Sequence, residues 1–560
     1  MEPVRAAFAV VARTALSTQA AATGFAAGGT ARRRLRAAVA IFATAASVIL
    51  LSGIAHAESA KPAVDVEAVY AEHCAVCHHP RRLGGIGPAL LPGNLKRLRK
   101  KKAAAVIASG RAATQMEGFK DKLNPAQIQA LVKLIYTPLA QVPDWTLADM
   151  EESHVIHTEA EDLPAEPKHG ADPLNLFTVV ETGDHHVTIL DGDKMEPIWR
   201  FPSRFALHGG AKYSPDGRFV YLGSRDGWVS KYDLHSLQPV AEIRAGINTR
   251  NIAVSSDGKW VAVGNFLPHT IVILHAADLT PFRVIPVSIG KGKTSRVSAV
   301  YNAPPRQSFI AALKDFKEVW ELSYDPDADP VYPGFVHNYR EGQVEGIAPE
   351  PQPFARRRIK LQDYMDDFFF DPDYIDIMGA SRDGKGGSVY NLDARRKVSD
   401  LALDGMPHLG SGIVFPYKDS TVMATPHLRE GAVSVIDMNS WKTVKKIKTL
   451  GPGFFMRSHK NTPYAWVDVF FGKDRDALHV IDKRTLEIVK TVRPKPGTTA
   501  AHVEFDRYGK YALVSVWDLD GALVIYDAQT LEEVKRIPMK KPVGKYNVWN
   551  KITYEAGTSH

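Results

Sequence analysis

The feature that most constrains this chain is a repeat with a period in the forties. Three copies read Val435-Ile436-Asp437, Val480-Ile481-Asp482 and Ile525-Tyr526-Asp527, and their Asp residues are 45 residues apart. Each copy is a run of strand-forming residues that ends in Asp before a turn. Short strands at such a period are typical of a β-propeller, because a single four-stranded blade buries its faces only against neighbouring blades.

Earlier copies of the repeat predict the number of blades. The successive steps are 42 to 46 residues long, except for one step of 70 that contains a Pro- and Arg-rich insertion at 326–360. Eight copies predict an eight-bladed propeller over residues 174–560, with seven blades plus a strand, or a pair of β-sandwiches, as alternatives. The earlier equivalents are Asp191, Asp233, Ala276, Glu321 and Asn391.

Residues 1–57 have the pattern of a signal peptide. An Arg-rich stretch at 32–36 is followed by an apolar run at 37–54 and by Ala55-His56-Ala57, a small-x-small cleavage pattern. The alternative is a membrane anchor of similar length. Cleavage predicts a periplasmic protein without an anchor. The segment has six Arg and one Glu, so most of the net charge of +8 lies there and does not indicate nucleic-acid binding.

Residues 58–145 are predicted to form a small helical domain, and residues 146–173, rich in acidic residues and Pro, a linker. Helices are expected at 64–73, at 103–109 and at 124–136, the last with Asn124 as N-cap and Pro125 at the first helical position. The predicted fold class is therefore α plus all-β, with an N-terminal α-helical domain and a C-terminal eight-bladed β-propeller.

The only two cysteines of the chain lie in the run Cys74-Ala75-Val76-Cys77-His78. Cys-x-x-Cys-His is the attachment motif of haem c, in which two thiols bind the porphyrin vinyl groups and the adjacent His is an axial iron ligand. A zinc site would need two further ligands, and a redox dithiol fits poorly without a βαβ context. The small domain is therefore predicted to be a cytochrome c with one covalent haem.

Met116 is the predicted sixth ligand of this haem. It lies 38 residues past His78, just before the last predicted helix, and Gly87-Pro88 resembles the loop beside the proximal His in small bacterial cytochromes c. Met ligation raises the haem potential. The alternative is that Met116 is a loop or core residue. The basic run at 96–102 is interpreted as a solvated helix face, with a docking patch for an acidic redox partner as the alternative.

A cytochrome c domain joined to an eight-bladed propeller resembles the cytochrome cd1 family, whose propeller carries haem d1. Asn175-Leu176-Phe177 resembles the start of that propeller, and residues 544–548 resemble its closing strand. Ala206-Leu207-His208, followed by residues 214–217, resembles the segment that supplies the proximal haem d1 ligand. Residues 246–250 resemble a segment that reaches the macrocycle's carboxylates.

The resemblance implies His208 as the proximal iron ligand and Arg250 as a carboxylate anchor, with Arg457 as a second anchor. Guanidinium groups suit this role because they bind carboxylates bidentately. His208 as an ordinary turn residue is the alternative. His427 and His459 either line the propeller mouth or are satisfied core histidines.

The chain departs from the nitrite reductases of this family at two positions. Those enzymes have two distal histidines that protonate nitrite, whereas Lys314 and Asp366 stand at the corresponding positions here. Residues 405–410, Gly-Met-Pro-His-Leu-Gly, instead resemble the branch that oxidises dihydro-haem d1. The role of Lys314 stays open between a distal ligand and a carboxylate partner.

This branch implies that a propionate of dihydro-haem d1 is oxidised to the acrylate of haem d1, with electrons leaving through haem c. His408 is the predicted base, since His accepts protons at neutral pH; an axial ligand or a structural residue is the alternative. The implied partners are dihydro-haem d1, a soluble redox acceptor and a respiratory nitrite reductase that receives haem d1. Alternative functions are nitrite reduction itself and non-catalytic carriage of haem d1.

Overall fold

The computed structural model describes residues 64–111, 114–290, 292–333, 348–382 and 384–555. The predicted signal peptide, residues 1–57, lies outside the described residues, as do the first six residues of the predicted helical domain. Among the described residues, no helix is both long enough and apolar enough to cross a lipid bilayer.

The small domain packs short helices around a core that includes Tyr70 and Leu131. The predicted cap of the last helix is present: the Asn124 side chain accepts from the Gln127 N–H, and the Gln127 side chain accepts from the Asn124 N–H. The third helix begins at Lys100, three residues before its predicted start, because the lysines ahead of Ala103 also favour helix. The helices are α1 Val66–His73, α2 Ala75–His78, α3 Lys100–Ser109 and α4 Pro125–Ile135.

Residues 146–173, predicted as a linker, contain regular structure that packs on the propeller. Helix α5, Leu147–Ser153, begins with a capping box between Thr146 and Asp149. The strand Val155–Ile156 then pairs with the outer strand of a blade. Two 3-10 helices follow, Ala160–Asp162 and Pro173–Asn175. The composition is polar because this segment covers an outer surface, not because it lacks structure.

The described residues of the propeller form eight antiparallel blades, which confirms the predicted fold class. Blade 1 combines the first strands of the propeller with its last. In chain order the strands are Leu176–Glu181, His186–Asp191, Glu196–Pro202 and Pro542–Asn547 (blade 1); Lys212–Tyr213, Phe219–Gly223, Trp228–Asp233 and Gln238–Arg244 (blade 2); Asn248–Val254, Trp260–Leu267, Thr270–His275 and Pro281–Pro286 (blade 3); Val297–Ala303, Ser308–Leu313, Glu318–Ser323 and Arg356–Lys360 (blade 4); Met365–Phe370, Asp376–Ser381, Lys385–Asn391 and Arg396–Asp404 (blade 5); Ile413–Tyr417, Ser420–Pro426, Ala432–Asp437 and Thr443–Lys448 (blade 6); Met456–Ser458, Tyr464–Asp468, Leu478–Asp482 and Glu487–Val492 (blade 7); and Ala500–Phe505, Tyr511–Val516, Gly521–Asp527 and Glu533–Met539 (blade 8).

A few shorter elements lie outside this pattern. The long step of the repeat is explained by blade 4, whose outer strand comes only at the end of the insertion. The remaining elements are the two-stranded ribbon Ser288–Ile289 and Lys293–Thr294, the 3-10 helices Pro304–Arg306 and Leu409–Ser411, and helix α6, Val548–Thr553.

The repeated Asp forms the turn between the third and fourth strands of a blade. The Asp437 carboxylate accepts from the Ser440 N–H at 2.7 Å, and that of Asp527 accepts from the Thr530 N–H at 2.8 Å. Four residues after each Asp, Trp441 and Leu531 adopt left-handed backbone conformations. The period therefore reflects a turn whose geometry is set by one side chain.

Each pair of neighbouring blades shares one apolar cluster, and the eight clusters complete a ring. The ring is closed by Pro542–Asn547, which pairs antiparallel with Leu176–Glu181. The fully buried Lys545 ammonium donates to the Ser515 hydroxyl at 2.9 Å and so ties the closing strand to blade 8. This architecture brings the inner strands of neighbouring blades together around a central axis.

Candidate functional site

The haem-attachment motif occupies the junction of α1 and α2. The His78 N–H donates to the Cys74 carbonyl at 2.9 Å, so Cys74 and Cys77 lie one helical turn apart and their side chains share a face. Both thiols are partly exposed and neither forms a disulfide. Within the described part of the chain, no group of three or more His, Cys, Asp or Glu side chains is arranged to hold a metal ion. The two thiols and the adjacent His78 are arranged as a haem-attachment motif requires.

The ring of His78 is oriented by the loop that follows it. Nδ1 lies 2.8 Å from the Pro88 carbonyl, which can only accept, so the proton is on Nδ1 and Nε2 carries the lone pair. A Cβ at Gly87 would lie 2.6 Å from Cε1 of this ring, so only glycine fits there. His78 is buried, and burial lowers its pKa. This geometry fits an axial haem ligand.

Met116 lies in the loop between α3 and α4 and packs, half-buried, against the core of the small domain. Its backbone is held on both sides: its N–H donates to the Thr114 hydroxyl at 3.1 Å, and its carbonyl accepts from the Arg111 N–H at 2.9 Å. The structure thus places Met116 at the small-domain core, where its role as sixth ligand remains a proposal.

The propeller residues of interest lie at one edge of the ring because of strand direction. In an antiparallel blade, the first strand begins at the edge where the second strand ends. His208 precedes the first strand of blade 2, and Arg250 is the third residue of the first strand of blade 3. Arg225 and Lys314 follow second strands. His408 precedes the first strand of blade 6. Residues far apart in sequence therefore share one edge of the ring.

His208 is held in the same way as His78. Its Nδ1 lies 2.8 Å from the Arg250 carbonyl, which leaves the lone pair on Nε2. Nε2 accepts from the guanidinium groups of Arg225 and Arg250 at 2.7 and 2.8 Å. Burial and these two cations hold the pKa of His208 well below its ordinary value. Gly209, with φ +87°, is required because a Cβ would lie 2.8 Å from that of Asn251.

Arg225 and Arg250 form a cationic pair that fits an anionic ligand. Among the described residues, neither guanidinium forms an ion pair with a carboxylate, and Nε of Arg225 is buried without a hydrogen-bond partner. Burial and the neighbouring cations lower the pKa of Arg225 to about 9. Arg225 was missed by the sequence analysis, although its place after a second strand puts it at the same edge as His208. Two adjacent unpaired guanidiniums suit the carboxylates of a tetrapyrrole.

Lys314 and Asp366 bind each other. Lys314 Nζ lies 3.0 Å from one oxygen of Asp366, and Arg382 Nη2 lies 2.6 Å from the other. Lys314 and Asp366, which the sequence resemblance is expected to set at the distal-histidine positions of the nitrite reductases, form an ion network with Arg382. Asp366 is an acceptor in this network, and the Lys314 ammonium donates to it.

His408 lies just before the short helix Leu409–Ser411, in the loop predicted for it. Its Nδ1 contacts the Phe454 carbonyl at 2.9 Å and the Ser411 hydroxyl at 2.6 Å. The carbonyl requires a proton on Nδ1, so the lone pair is on Nε2, as a base or a ligand needs. Burial lowers the pKa of His408, which keeps the ring neutral.

Two residues that the sequence analysis missed hold the His408 loop. One oxygen of Asp367 accepts from the Tyr301 hydroxyl at 2.6 Å, and the other accepts from the Gly410 N–H at 3.0 Å. No local signal in the sequence joins these residues, which come from blades 4, 5 and 6. The Asp367 carboxylate raises the pKa of His408 and partly offsets the effect of burial.

The remaining candidates, Arg457, His427 and His459, lie on blades 6 and 7. Arg457 is buried on the inner strand of blade 7, with Nε 3.5 Å from a Glu504 oxygen, so its role as a carboxylate anchor is a proposal. His459 accepts from the Asn461 N–H at 3.1 Å and donates to the Arg507 carbonyl at 3.2 Å. His427 is fully buried, with Nε2 2.9 Å from the Ser434 hydroxyl. His459 thus fits the interpretation as a satisfied core residue.

Comparisons with known proteins define the class. The family model described as Cytochrome D1 heme domain matches residues 171–342 and 348–551. The model described as Cytochrome C oxidase, cbb3-type, subunit III matches residues 62–135. The propeller and the small domain are thus those of a cytochrome c joined to a haem d1-type domain.

Within this class, the chain is 53% identical to a dihydro-heme d1 dehydrogenase of Pseudomonas aeruginosa over 512 residues, which covers 91% of this chain and 98% of that protein. The solved structure of the dihydro-heme d1 dehydrogenase NirN in complex with DHE matches with a TM-score of 0.81 and 54% identity, covering 87% of this chain and 99% of that one. A nitrite reductase of Stutzerimonas stutzeri is 25% identical over 562 residues, covering 89% of this chain and 96% of that protein. The chain therefore belongs to the family of dihydro-haem d1 dehydrogenases, as the sequence motifs predicted.

Proposed function

We propose that this protein is a periplasmic oxidoreductase that oxidises dihydro-haem d1 to haem d1 and passes the electrons to its covalent haem c. The observation that carries the proposal is one propeller edge that bears a ligand-type histidine, His208, an unpaired cationic pair, Arg225 and Arg250, and a base-type histidine, His408. The identity to the dehydrogenase of Pseudomonas aeruginosa supports the same activity.

The residues of the site have three roles: binding iron, binding carboxylates and accepting a proton. His208 would hold the tetrapyrrole iron through Nε2, and Arg225 and Arg250, which donate to that atom in this structure, would pair with the carboxylates of the tetrapyrrole. His408 accepts a proton from the propionate arm on Nε2, while the Phe454 carbonyl and the Asp367-bound loop hold the ring in place. A bound tetrapyrrole iron supplies the route by which electrons leave the substrate.

The two alternative functions fit the site less well. Nitrite reduction needs proton donors above the bound nitrite, whereas Lys314 and Asp366 form an ion pair with each other. A carrier of haem d1 needs no redox centre, whereas the haem-attachment motif at residues 74–78 is complete and its His78 is oriented as a ligand.

The decisive experiment mixes purified holoprotein with dihydro-haem d1 and ferricyanide, a one-electron oxidant, and follows the optical spectrum. We expect the spectrum of haem d1 to appear in wild type, and not in His408→Ala. Binding without conversion by the wild type would identify a carrier. Rapid conversion of nitrite to nitric oxide by the haem d1-loaded protein would identify a nitrite reductase and refute the proposal.

A further inference from the structure

Arg244, at the end of the outer strand of blade 2, is buried and contacts the small domain. Its Nη2 donates to the Leu83 carbonyl at 2.6 Å, and its Nη1 donates to the Gly84 carbonyl at 3.1 Å. Trp145 lies against the guanidinium at 4.6 Å and donates its indole N–H to the Arg244 carbonyl at 2.7 Å. One side chain of the propeller thus forms two hydrogen bonds to the backbone of the small domain.

The segment that Arg244 binds, at Leu83 and Gly84, belongs to the loop that orients His78, the predicted haem c ligand. The Gly84 N–H donates to the His78 carbonyl at 3.0 Å, and the loop continues to Pro88, whose carbonyl holds the His78 ring. Gly84 has φ +84°, and a Cβ there would lie 2.7 Å from the Ala89 backbone nitrogen and 2.9 Å from Nη2 of Arg244, so this position requires glycine. The position of this loop on the propeller therefore also sets the position of His78, the predicted haem ligand.

Arg244 also forms a hydrogen bond to the loop of the propeller that carries Arg225. Its Nε donates to the Asp226 carbonyl at 2.9 Å, and the residue before Asp226 is Arg225, which contacts Nε2 of His208 at 2.7 Å. A short series of hydrogen bonds and one peptide bond therefore joins the His78 loop to the predicted ligand of the second iron. Burial lowers the pKa of Arg244 to about 10, so it remains a cation at neutral pH.

A second contact holds the two domains beside this link. Leu83, Ala89 and Leu91 of the small domain form one apolar cluster with Ile247 of the propeller, and Nδ2 of Asn94 donates to the Ile247 carbonyl at 3.0 Å. The cluster excludes water from around the buried link, where hydrogen bonds from a cation are strongest.

We propose that Arg244 is a positioning residue that fixes the haem c loop on the propeller and thereby sets the distance for electron transfer between the two sites. This rests on the proposed function, in which a –CH2–CH2– unit of the propionate becomes –CH=CH–. Two C–H bonds break, two protons leave to His408 and solvent, and two electrons pass singly through ferric haem c to a one-electron acceptor such as ferricyanide. Because electron transfer slows steeply with distance, a loosened loop slows it.

The test compares Arg244→Met with Arg283→Met in the full-length holoprotein. Arg283 is a matched control because it also holds a loop through backbone carbonyls, those of Pro351, Gln352 and Pro353, but does so within the propeller. Hydrogen exchange of the amides at 83–91 should be at least tenfold faster in Arg244→Met and unchanged in Arg283→Met. Unchanged exchange in Arg244→Met would overturn the docking role.

Electron transfer is measured without relying on dehydrogenation. Haem d1 is bound to each protein, haem c is reduced by a radiolytic pulse, and the passage of the electron to haem d1 is followed optically. We expect the rate to fall at least tenfold in Arg244→Met, to recover partly in Arg244→Lys, which keeps the charge and one donor group, and to stay unchanged in Arg283→Met. An unchanged rate in Arg244→Met refutes the inference. Failure of the wild type to oxidise dihydro-haem d1 would count against the proposed function alone.

Discussion

The predicted iron ligands of the small domain and of the propeller are held by the same hydrogen bond, but their partners come from different distances. Nδ1 of each histidine lies 2.8 Å from a backbone carbonyl, which belongs to Pro88 for His78 and to Arg250 for His208. Pro88 is ten residues away, within one loop, whereas Arg250 is 42 residues away in the next blade. The His78 site is local, because one stretch of sequence supplies both the ligand and its partner. The His208 site is assembled from two blades, so it depends on how neighbouring blades pack in the ring.

The largest effect should come from removing the attachment site of the local centre. In Cys74→Ala/Cys77→Ala, no covalent haem can form because both thioether bonds are lost. Peptide mass spectrometry on protein from periplasmic extracts should show one haem on the wild-type motif, a mature start near Glu58, and no haem on the variant. Unmodified cysteines in wild type, from cells competent to mature cytochromes c, would show that the small domain does not carry a covalent haem.

The next largest effect should fall on the chemistry of the assembled site. His408→Ala should lose about a hundred- to ten-thousand-fold in rate, as for loss of a general base, and bind dihydro-haem d1 almost as wild type does. Single-turnover conversion and a binding titration separate the two quantities. If affinity falls with the rate, His408 is an iron ligand or an anchor; if the rate survives, the base lies elsewhere, with His427 and His459 the next residues to replace.

His208→Ala should weaken binding of haem d1 by on the order of a hundredfold or more, because an axial ligand is lost, and should leave the haem c spectrum intact. The reciprocal result in the cysteine variant, where propeller binding persists, would show that the two sites are independent. Wild-type affinity and an unchanged haem d1 spectrum in His208→Ala would exclude it as the ligand.

Met116→Ala should lower the midpoint potential of haem c and change its reduced spectrum, since a thioether ligand stabilises Fe(II). A redox titration of the holoprotein measures both. Met150→Ala is a control, because Met150 is a buried methionine that packs on the propeller core. The same potential and spectrum in Met116→Ala and wild type would assign the sixth position to another residue.

The smallest effect should be a shift of the pH dependence of the single-turnover rate. Burial holds the pKa of His408 below 6.5, so the base is neutral at pH 7 and the single-turnover rate should fall only below pH 6.5, as the ring becomes protonated. Asp367 raises this pKa, so Asp367→Asn should move the acid limb to still lower pH. The assignment of His408 as the base would be contradicted if the rate fell to half at or above pH 6.5. It would also be contradicted if Asp367→Asn moved this midpoint to higher pH.

The parts of the molecule that were predictable are those specified by short stretches of sequence. The haem motif, the Asn124 cap and the Asp turns each depend on contacts within a few residues. Tyr301 and Asp367 were not predicted as site residues, because their contacts cross from one blade to another. Arg225 was not predicted because its contact with His208 joins two loops of blade 2 that lie 17 residues apart. The structure of residues 146–173 was also missed, since its strand forms only by pairing with the outer edge of blade 2.

The closing strand gives the molecule an order of assembly. Pro542–Asn547 follows every other blade in the chain, yet it is the innermost strand of blade 1. The ring is therefore fastened only after the last blade has emerged, whereas the small-domain core is complete by α4. The haem-attachment motif therefore needs only the first domain of the chain, whereas a ligand held by several blades needs the closed ring. The small domain thus depends on residues 64–136 for its own core, whereas the propeller ring depends on the last strand of the chain.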